Sequence, residues 1–461
     1  MPYLGQRAGK TGHASFFEAE LANFLSHCHY LKTLTPEEHA MAEAHKVHIE
    51  PSPMTREWLW ASDGSRYIAS VQDGAPTTRI GYLKVSQIGF AWKDYINLLP
   101  KTERFVDPFA VARLREAVKS IVWMLPGSNI KYKDCSSSFE SFRLRLHELF
   151  LSTSLDENSP KLYQTLFNLR AHSKRRKEDT PQMLFIQECP QCHHKHESGG
   201  LCFKPTDNGL PCVNCGRNIY ASDILGFHLE FEEHGANEGL FTRVMSVLEA
   251  LLLTQRLQFN PDNPKALENS IFFFDGLLGL YGDCSWLCRG ILSVYHDIRY
   301  QLIKLQCKPP LIVGVAKSGQ LMKHAEAIMG DLNTNDVLPL SLTYRRAILH
   351  QSVDDVRRPF FGSRWGQEFI WKTSQGQPVV LSLPFWTSDF DSHSETIHRV
   401  ENYPELPEIL GALNGMDCAL YPSAFIPVVM AHEEASIAWE PGGRLLTEAT
   451  KRALGAGNAA D

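Results

Sequence analysis

The sequence predicts an α/β protein, and three observations carry that prediction. Short apolar runs at 271–275, 311–315 and 379–383 are typical of buried strands, with helical segments between them. The segment 238–257 places apolar residues at helical spacing. A stretch from about 180 to 222 is rich in Cys, His, Gly and Pro, which indicates a small loop-rich insert.

Length and composition bound the class of protein. The 461 residues suggest one large elaborated domain or two to three units. Hydrophobic residues make up 43% of the chain, and no apolar run is long enough to span a bilayer. Residues 1–10 lack the apolar core of a signal peptide, so we expect a soluble cytoplasmic protein without a membrane partner.

Charge and cysteine content narrow the possible partners. The net charge of −6 counts mildly against broad nonspecific DNA affinity, although it leaves room for a local basic groove. The densest positive cluster, 173–177, is either a solvated loop or a contact with phosphate or a partner. Eleven cysteines without a secretory signal favour free thiols or metal ligands over disulfides.

The elements before residue 180 follow from capping signals and periodicity. The first fifty residues read as helical, with an N-cap at Thr35 and a proline after it. A strand ending at Asp63 follows, and 78–90 reads as one or two further strands. A helix is predicted from Asp107 to Pro126, and Ser137 begins another that continues to the basic run.

These elements suggest a division of the chain into units. The expected units are a helical segment (1–50), two parts of the main α/β domain (55–105 and 235–445), a helical insertion (106–180), a zinc ribbon (181–222) and a flexible tail (446–461).

Two Cys-x2-Cys pairs predict a structural zinc site. Cys189 and Cys192 are followed, after 19 intervening residues, by Cys212 and Cys215. The two-residue spacing lets each pair bring two sulfurs to one tetrahedral centre. A closed four-thiolate site stabilises a fold and leaves no position for substrate. The alternatives are four unrelated thiols, or replacement of one ligand by Cys202 or a histidine at 193, 194 or 196.

Acidic residues at strand ends predict a second metal site of a different kind. Asp63-Gly64 and Asp275-Gly276 each follow an apolar run, which is a way to hold a carboxylate rigidly at a sheet edge. Glu249 lies at the border of the apolar stripe of the helix 238–257, where an acid is costly unless it is paired or binds metal. Asp-Gly is also a common turn dipeptide, and Glu249 alone could be a solvated edge residue.

Two further residues could complete such a site. The apolar run 311–316 delivers Lys317, which could bind a phosphate or orient water, or could be an ordinary loop lysine. A helix near the C-terminus carries His432, which could be a metal ligand, a general acid or a structural histidine.

Taken in order, these motifs resemble those of the NurA nuclease family. The resemblance rests on Asp63-Gly64-Ser65, on Phe274-Asp275-Gly276, on 313–318, and on Tyr421-Pro422 followed by Ala431-His432. It covers roughly 55–100 and 235–440. The chain departs from the family pattern at Leu277, where the family usually has serine, and in its inserted zinc ribbon.

The resemblance implies an RNase H-like mixed sheet flanked by helices and a Mn²⁺- or Mg²⁺-dependent nuclease acting on DNA. It also implies a homodimer that works with a HerA-like hexameric ATPase in DNA repair or anti-phage defence. The implied metal ligands are Asp63, Glu249, Asp275 and His432, supported by Lys317 and Tyr421. Nearby competitors for the role of Glu249 are Glu230, Glu232 and Glu233.

Two other functions remain open from the sequence. A non-catalytic adaptor could use the same body and ribbon to bind DNA or an ATPase. An RNA-directed enzyme of the RNase H-like class is a third possibility, although no aromatic-rich RNA platform is visible.

Overall fold

The computed structural model describes residues 23–28, 34–72, 77–97, 114, 118–173, 182–197, 199–258, 260–349, 361–416, 425–437 and 442–457. Its strands are β1 (Val47–His48), β2 (Trp58–Gln72), β3 (Thr78–Ala91), β4 (Lys119–Pro126), β5 (Leu184–Ile186), β6 (Leu201–Phe203), β7 (Leu210–Pro211), β8 (Asn218–Ile219), β9 (Ser270–Asp275), β10 (Leu311–Ala316), β11 (Asp336–Pro339), β12 (Gly366–Lys372) and β13 (Pro378–Pro384).

The α-helices of the described residues surround these strands. They are α1 (Pro36–His45), α2 (Trp92–Asn97), α3 (Ser138–Ser152), α4 (Leu162–Ser173), α5 (Glu238–Arg256), α6 (Lys265–Glu268), α7 (Trp286–Lys304), α8 (Gln320–Ala327), α9 (Leu342–Leu349), α10 (Phe390–His393), α11 (Leu406–Asn414), α12 (Ile426–Ala435) and α13 (Gly442–Gly457).

Nine of the described strands form one mixed sheet. Its strand order is β1-β11-β12-β13-β10-β9-β2-β3-β4. Strand β9 pairs in parallel with β2 on one side and with β10 on the other, and the remaining neighbours are antiparallel. The predicted fold class, a mixed sheet flanked by helices with a cysteine cluster, is confirmed.

The central strands are apolar along their whole length because both of their faces are covered. Phe272 and Ile312 point to a first face, where they pack in one cluster with residues of α3, α4, α5 and α7. Ile271, Phe273 and Val313 point to the second face and pack against α11 and α12. This double coverage explains why the predicted strands at 271–275, 311–315 and 379–383 are mostly apolar and lack an alternating pattern, and all three are confirmed.

Strand β2 does not end at Asp63, so that prediction is wrong. The strand continues to Gln72 because it pairs with β3 along nearly its whole length, from Trp58 opposite Ala91 onwards. What ends near Asp63 is the parallel partner: the last pair between β2 and β9 joins Ser62 to Phe274. Asp63 therefore lies inside β2, one residue beyond the last pair that β2 forms with β9.

The predicted helix from 107 to 126 is also wrong over its described part. Lys119–Pro126 forms β4, an antiparallel partner of β3. Its Trp123 and Leu125 are buried while Val122 and Met124 are exposed, which is the alternation of a half-covered strand. The beginning of that predicted helix lies outside the described residues.

Of the predicted helical segment 1–50, the described residues form α1 from the predicted cap at Thr35, but Val47–His48 is the strand β1, and 1–22 and 29–33 lie outside the described residues. The hydroxyl of Ser137 accepts a hydrogen bond from the Glu140 backbone N–H, so α3 begins where predicted. The expected continuous helix to the basic run is two helices, because the chain breaks between Ser152 and Leu162 around Pro160. The segment 174–177 lies outside the described residues. In the part of the chain that the structure describes, no helix has the length and apolar character needed to cross a membrane.

Candidate metal centre

The register of the sheet brings Asp63 and Asp275 side by side. Asp275 is the last residue of β9, and Asp63 is one residue beyond the last pair between β2 and β9. Neighbouring strands lie about 4.8 Å apart, so these two carboxylates face each other across the end of that ladder. By strand alternation both point to the second face, like Ala61 and Phe273 before them.

Helix α12 brings a histidine over the same face. His432 Nδ1 lies 2.7 Å from Asp63 Oδ2, and the backbone N–H of Gly64 donates to Asp63 Oδ1 at 2.7 Å. Ligand atoms of Asp63, Asp275 and His432 all lie within 4.8 Å of one another. Asp63 is buried, Asp275 is partly exposed and His432 is exposed, so the group is open to solvent on one side.

Lysine 317 pairs with the second aspartate. It follows the end of β10, and its Nζ lies 2.9 Å from Asp275 Oδ2. Both side chains keep about a quarter of their surface exposed, at 28% and 22%. The lysine therefore neutralises part of the charge of Asp275 while remaining accessible to an incoming anion.

Glu249 approaches the site from the other side of the sheet. Its Oε1 lies only 2.3 Å from the point where a Cβ on Gly64 would be, on the face of β2 opposite to Asp63. Glycine at position 64 is therefore what lets the glutamate reach this level of the sheet. Glu249 does not join the three residues that lie mutually within 4.8 Å, although its carboxyl interacts electrostatically with both aspartates.

The electrostatics of the site show an excess of buried negative charge. Burial raises the pKa of the Glu249 carboxyl well above its usual range, and the charges of Asp63 and Asp275 raise it further. Burial also raises the pKa of Asp63, as does Asp275, and the contributions of His432 and Lys317 offset this only in part. A bound cation stabilises carboxylates in such surroundings, because it offsets the repulsion between their negative charges.

The donor set fits a divalent ion with oxygen and nitrogen ligands. Carboxylates and one imidazole suit Mg²⁺ or Mn²⁺, and ligands of one octahedral ion lie about 3 Å apart when each bond is about 2.1 Å. The 2.7 Å separation of His432 Nδ1 and Asp63 Oδ2 is close to that spacing. The structure thus brings Asp63, Asp275, Lys317 and His432 together and places Glu249 behind them, while Tyr421 lies outside the described residues.

One serine near this site has no role among the residues predicted from the sequence. Ser382 is fully buried in β13, and its Oγ accepts a hydrogen bond from the backbone N–H of Leu278, just after Asp275-Gly276-Leu277. A signal was present: a hydroxyl in the middle of the apolar run 378–384 requires a partner.

The four predicted cysteines form a second and separate cluster. The sulfurs of Cys189 and Cys215 lie 3.8 Å apart, and those of Cys192 and Cys212 lie 3.7 Å apart. Four sulfurs held tetrahedrally at about 2.3 Å from a zinc ion would be about 3.8 Å from one another. The cluster is therefore compatible with zinc, and Cys202 and the nearby histidines lie outside it.

Hydrogen bonds to sulfur support the cluster. The backbone N–H groups of Gln191 and Asn214 each donate to a sulfur at 3.4 Å, on Cys189 and Cys212. The Asn214 side-chain amide donates to Cys192 Sγ and lowers the pKa of that thiol to about 6. These donors favour the thiolate form that binds metal, whereas burial opposes it at Cys189 and raises the pKa of that thiol to about 12.

The cysteine cluster is built into the core and does not project from it. Cys189 and Cys212 are buried in the same hydrophobic cluster as α3, α4 and α5. Arg143 of α3 forms a buried ion pair with Asp223, which follows the cluster in sequence, at 2.6 Å. The cysteine cluster thus packs against, and stabilises, the helical layer that includes α5, the helix that carries Glu249.

The comparisons with known proteins found structural likeness but no sequence match. No protein-family model matches the chain, and no curated protein matches it. The crystal structure of the NurA nuclease from Sulfolobus solfataricus matches with 9% identity and a TM-score of 0.33, covering 96% of this chain and 97% of that one.

Further NurA structures match at similar levels. A structure of NurA with manganese has 12% identity and a TM-score of 0.27, covering 93% of this chain and 95% of that one. A structure of NurA bound to dAMP and manganese has 10% identity and a TM-score of 0.27, covering 95% of each chain. The resemblance predicted from the motifs is confirmed. Since these TM-scores are below 0.5, the roles given to residues of this chain rest on their own contacts.

Proposed function

We propose that this protein is a metal-dependent nuclease whose centre is formed by Asp63, Asp275 and His432. The observation that carries the proposal is the group of two carboxylates and one imidazole within 4.8 Å, beside a lysine, with the pKa of the Asp63 carboxyl raised by burial and by the charge of Asp275. A buried site with excess negative charge is unfavourable for folding and is therefore more typical of a functional centre than of a stabilising ion pair.

Each residue has a chemical role in this proposal. The ion is held by Asp63, Asp275 and His432. Glu249 adds negative charge from the opposite face of the sheet. A divalent ion bound there would neutralise charge on a phosphodiester and lower the pKa of a water molecule. Lys317 binds the phosphate that is attacked, because its amine is exposed and already lies at the site. The exposed imidazole of His432 can instead deliver a proton to the leaving oxygen.

The finer assignments follow from the motif resemblance. We propose DNA as substrate, Mn²⁺ or Mg²⁺ as the catalytic ion and a cytoplasmic homodimer working with a HerA-like hexameric ATPase, in repair or in anti-phage defence. Tyr421 is proposed as a supporting residue. The division of the chain into the units given above is kept as part of the proposal with three changes: β1 and β4 belong to the main sheet, and α13 occupies most of the expected tail.

The test is Mn²⁺-dependent degradation of DNA by the purified full chain, with and without the ATPase. Asp275→Ala is expected to abolish cleavage while leaving the melting temperature near that of the wild type. Asp262→Ala, a change to an exposed turn residue, is the control and should cleave normally. Undiminished cleavage by Asp275→Ala would sink the assignment.

Other outcomes of the same experiment favour other functions. Mn²⁺ binding measured by calorimetry, with no cleavage under any partner condition, would support the non-catalytic adaptor. Preferential cleavage of RNA in competition with single- and double-stranded DNA would support the RNA-directed enzyme.

We also propose that Cys189, Cys192, Cys212 and Cys215 bind a structural zinc ion. Because the cluster shares its core with α3, α4 and α5, Cys212→Ser should lower the melting temperature strongly and release zinc. Cys307→Ser, in a partly exposed thiol away from the cluster, is the control and should keep both zinc and stability. A full complement of zinc in Cys212→Ser would contradict the assignment.

A further inference from the structure

The turn that follows Asp275 is fixed at two points on neighbouring strands. Gly276 has a φ of 113°, in the left-handed region, and its backbone N–H donates to the carbonyl oxygen of Val315 at 2.8 Å. Two residues later the backbone N–H of Leu278 donates to Ser382 Oγ at 2.9 Å. The carboxylate of Asp275 is therefore attached to a turn that β10 and β13 hold together.

A missing side chain lets this turn reach the serine. Gly314 of β10 pairs with Ser382 of β13 in the sheet. A Cβ on Gly314 would lie 2.4 Å from the carbonyl oxygen of Gly276 and 2.7 Å from Ser382 Oγ. The turn thus crosses directly over β10 in space that any other residue at position 314 would fill.

Loss of the hydrogen bond from the Leu278 backbone N–H to Ser382 Oγ would be costly, because both residues are buried. Leu278 is 2% exposed and Ser382 is 0% exposed. A buried backbone N–H that loses its acceptor pays its full desolvation cost, so the turn would move to find another partner. Asp275 is three residues away, and its oxygens must stay within a few ångströms of Asp63 and His432 for all three to hold one ion.

We propose that Ser382 is a positioning residue for the metal centre, acting through the Leu278 backbone to fix the carboxylate of Asp275. This role rests on the proposed function, because it assigns the geometry of that same site. It differs from a purely stabilising role in one respect: loss of the hydroxyl should weaken metal binding more than an equal loss of stability elsewhere does.

The test compares two buried serines whose hydroxyl oxygens each accept a hydrogen bond from a backbone N–H. Ser141 of α3 is also 0% exposed, and its Oγ accepts a backbone N–H, that of Tyr132, at 2.9 Å, but it lies in the helical layer away from the carboxylates. Mn²⁺ affinity of the full chain is measured by the electron paramagnetic resonance signal of free Mn²⁺. Ser382→Ala is expected to raise the Kd for Mn²⁺ by roughly 10-fold, the scale seen when residues supporting metal ligands are removed, while Ser141→Ala keeps the wild-type Kd.

Thermal melting of both variants shows whether their losses of stability are comparable. If Ser382→Ala does not fold, Ser382→Cys keeps the size of the side chain with a weaker acceptor and should raise the Kd by a smaller factor. An unchanged Kd in the folded Ser382 variant, or an equal rise in Ser141→Ala, would overturn the positioning role alone. A wild-type protein that binds no Mn²⁺ would overturn the proposed function, and the positioning role with it.

Discussion

Asp275 and Asp336 are both strand-terminal aspartates of the same sheet, and each has a lysine beside it. Asp275 ends β9 and pairs with Lys317, while Asp336 begins β11 and lies 3.5 Å from Lys46 Nζ. Histidines complete both surroundings: His432 contacts Asp63 at the first site, and His48 Nδ1 lies 3.1 Å from Asp336 Oδ1 at the second. Residue types alone therefore do not distinguish the two clusters.

The carboxyl pKa shifts at the two clusters have opposite directions. Burial opposes the charge of Asp336, but the backbone N–H of Asn333, the His48 imidazole and Lys46 outweigh it, and its pKa is lowered. At the first site three carboxylates meet around one lysine and one histidine, and the pKa values of Asp63 and Glu249 are raised. The surroundings of Asp336 satisfy its charge and stabilise the fold, whereas the surroundings of Asp63 leave charge that only a further cation can satisfy.

The largest expected effect separates the two clusters by activity. Asp63→Asn should reduce Mn²⁺-dependent DNA cleavage by at least about 10²-fold, because it removes a ligand and half of the facing carboxylate pair. Asp336→Asn should cleave at the wild-type rate but unfold more easily, because the amide cannot satisfy all of the Asn333, His48 and Lys46 donors. Steady-state cleavage and thermal melting of both variants test this, and equal losses of activity would remove the distinction.

Replacing the lysine beside each aspartate tests the same difference between the two clusters. Lys317→Met should lower the cleavage rate roughly 10-fold to 100-fold, because a phosphate loses its cation, while the Kd for Mn²⁺ stays the same or falls as a positive charge leaves the site. Lys46→Met, beside Asp336, should leave both quantities unchanged. A weaker affinity for Mn²⁺ in Lys317→Met would show that the lysine supports the ligands and not the substrate.

The smallest effect is on stability and depends on pH. The folded-state pKa of Glu249 is raised above its ordinary value of 4.5, so the metal-free wild type loses stability as pH rises from there towards the folded-state pKa. Glu249→Gln should therefore be more stable than the wild type at neutral pH, with the difference vanishing near pH 4.

Asp336 gives the opposite pH trend. Its pKa is lowered from 3.8, so its contribution is present above that pH and is lost as pH falls below it. Asp336→Asn should thus be destabilised at neutral pH, with the difference shrinking in acid. Denaturant unfolding of both variants without metal, from about pH 2 to pH 8, checks the pair of trends. A destabilised Glu249→Gln at neutral pH would contradict the expected charge repulsion at this site.

Much of the central fold could be predicted because its signals are local. The strands β9, β10 and β13 are mostly apolar, and α5 was predicted at 238–257 against Glu238–Arg256 in the structure. The paired Cys-x2-Cys spacing predicted which sulfurs come together. In these cases the residues that determine the structure are adjacent in sequence.

The remaining features depend on contacts between distant segments. The length of β2 is set by its pairing with β3, so Asp-Gly at 63–64 does not end the strand as an isolated turn dipeptide would. The face from which Glu249 approaches depends on the absence of a side chain at Gly64. Ser382 is 104 residues from Leu278, whose backbone N–H donates a hydrogen bond to it, and no local sequence pattern connects the two.

We expect Asp63, Asp275 and His432 to hold one divalent ion. Crystals of the protein grown with Mn²⁺ and measured by anomalous diffraction at the manganese and zinc absorption edges would locate both metals. The expected result is a manganese peak bonded to these three residues and a zinc peak at the centre of the four cysteines. Crystals that show the zinc peak but no manganese between Asp63 and Asp275, at saturating Mn²⁺, would contradict it.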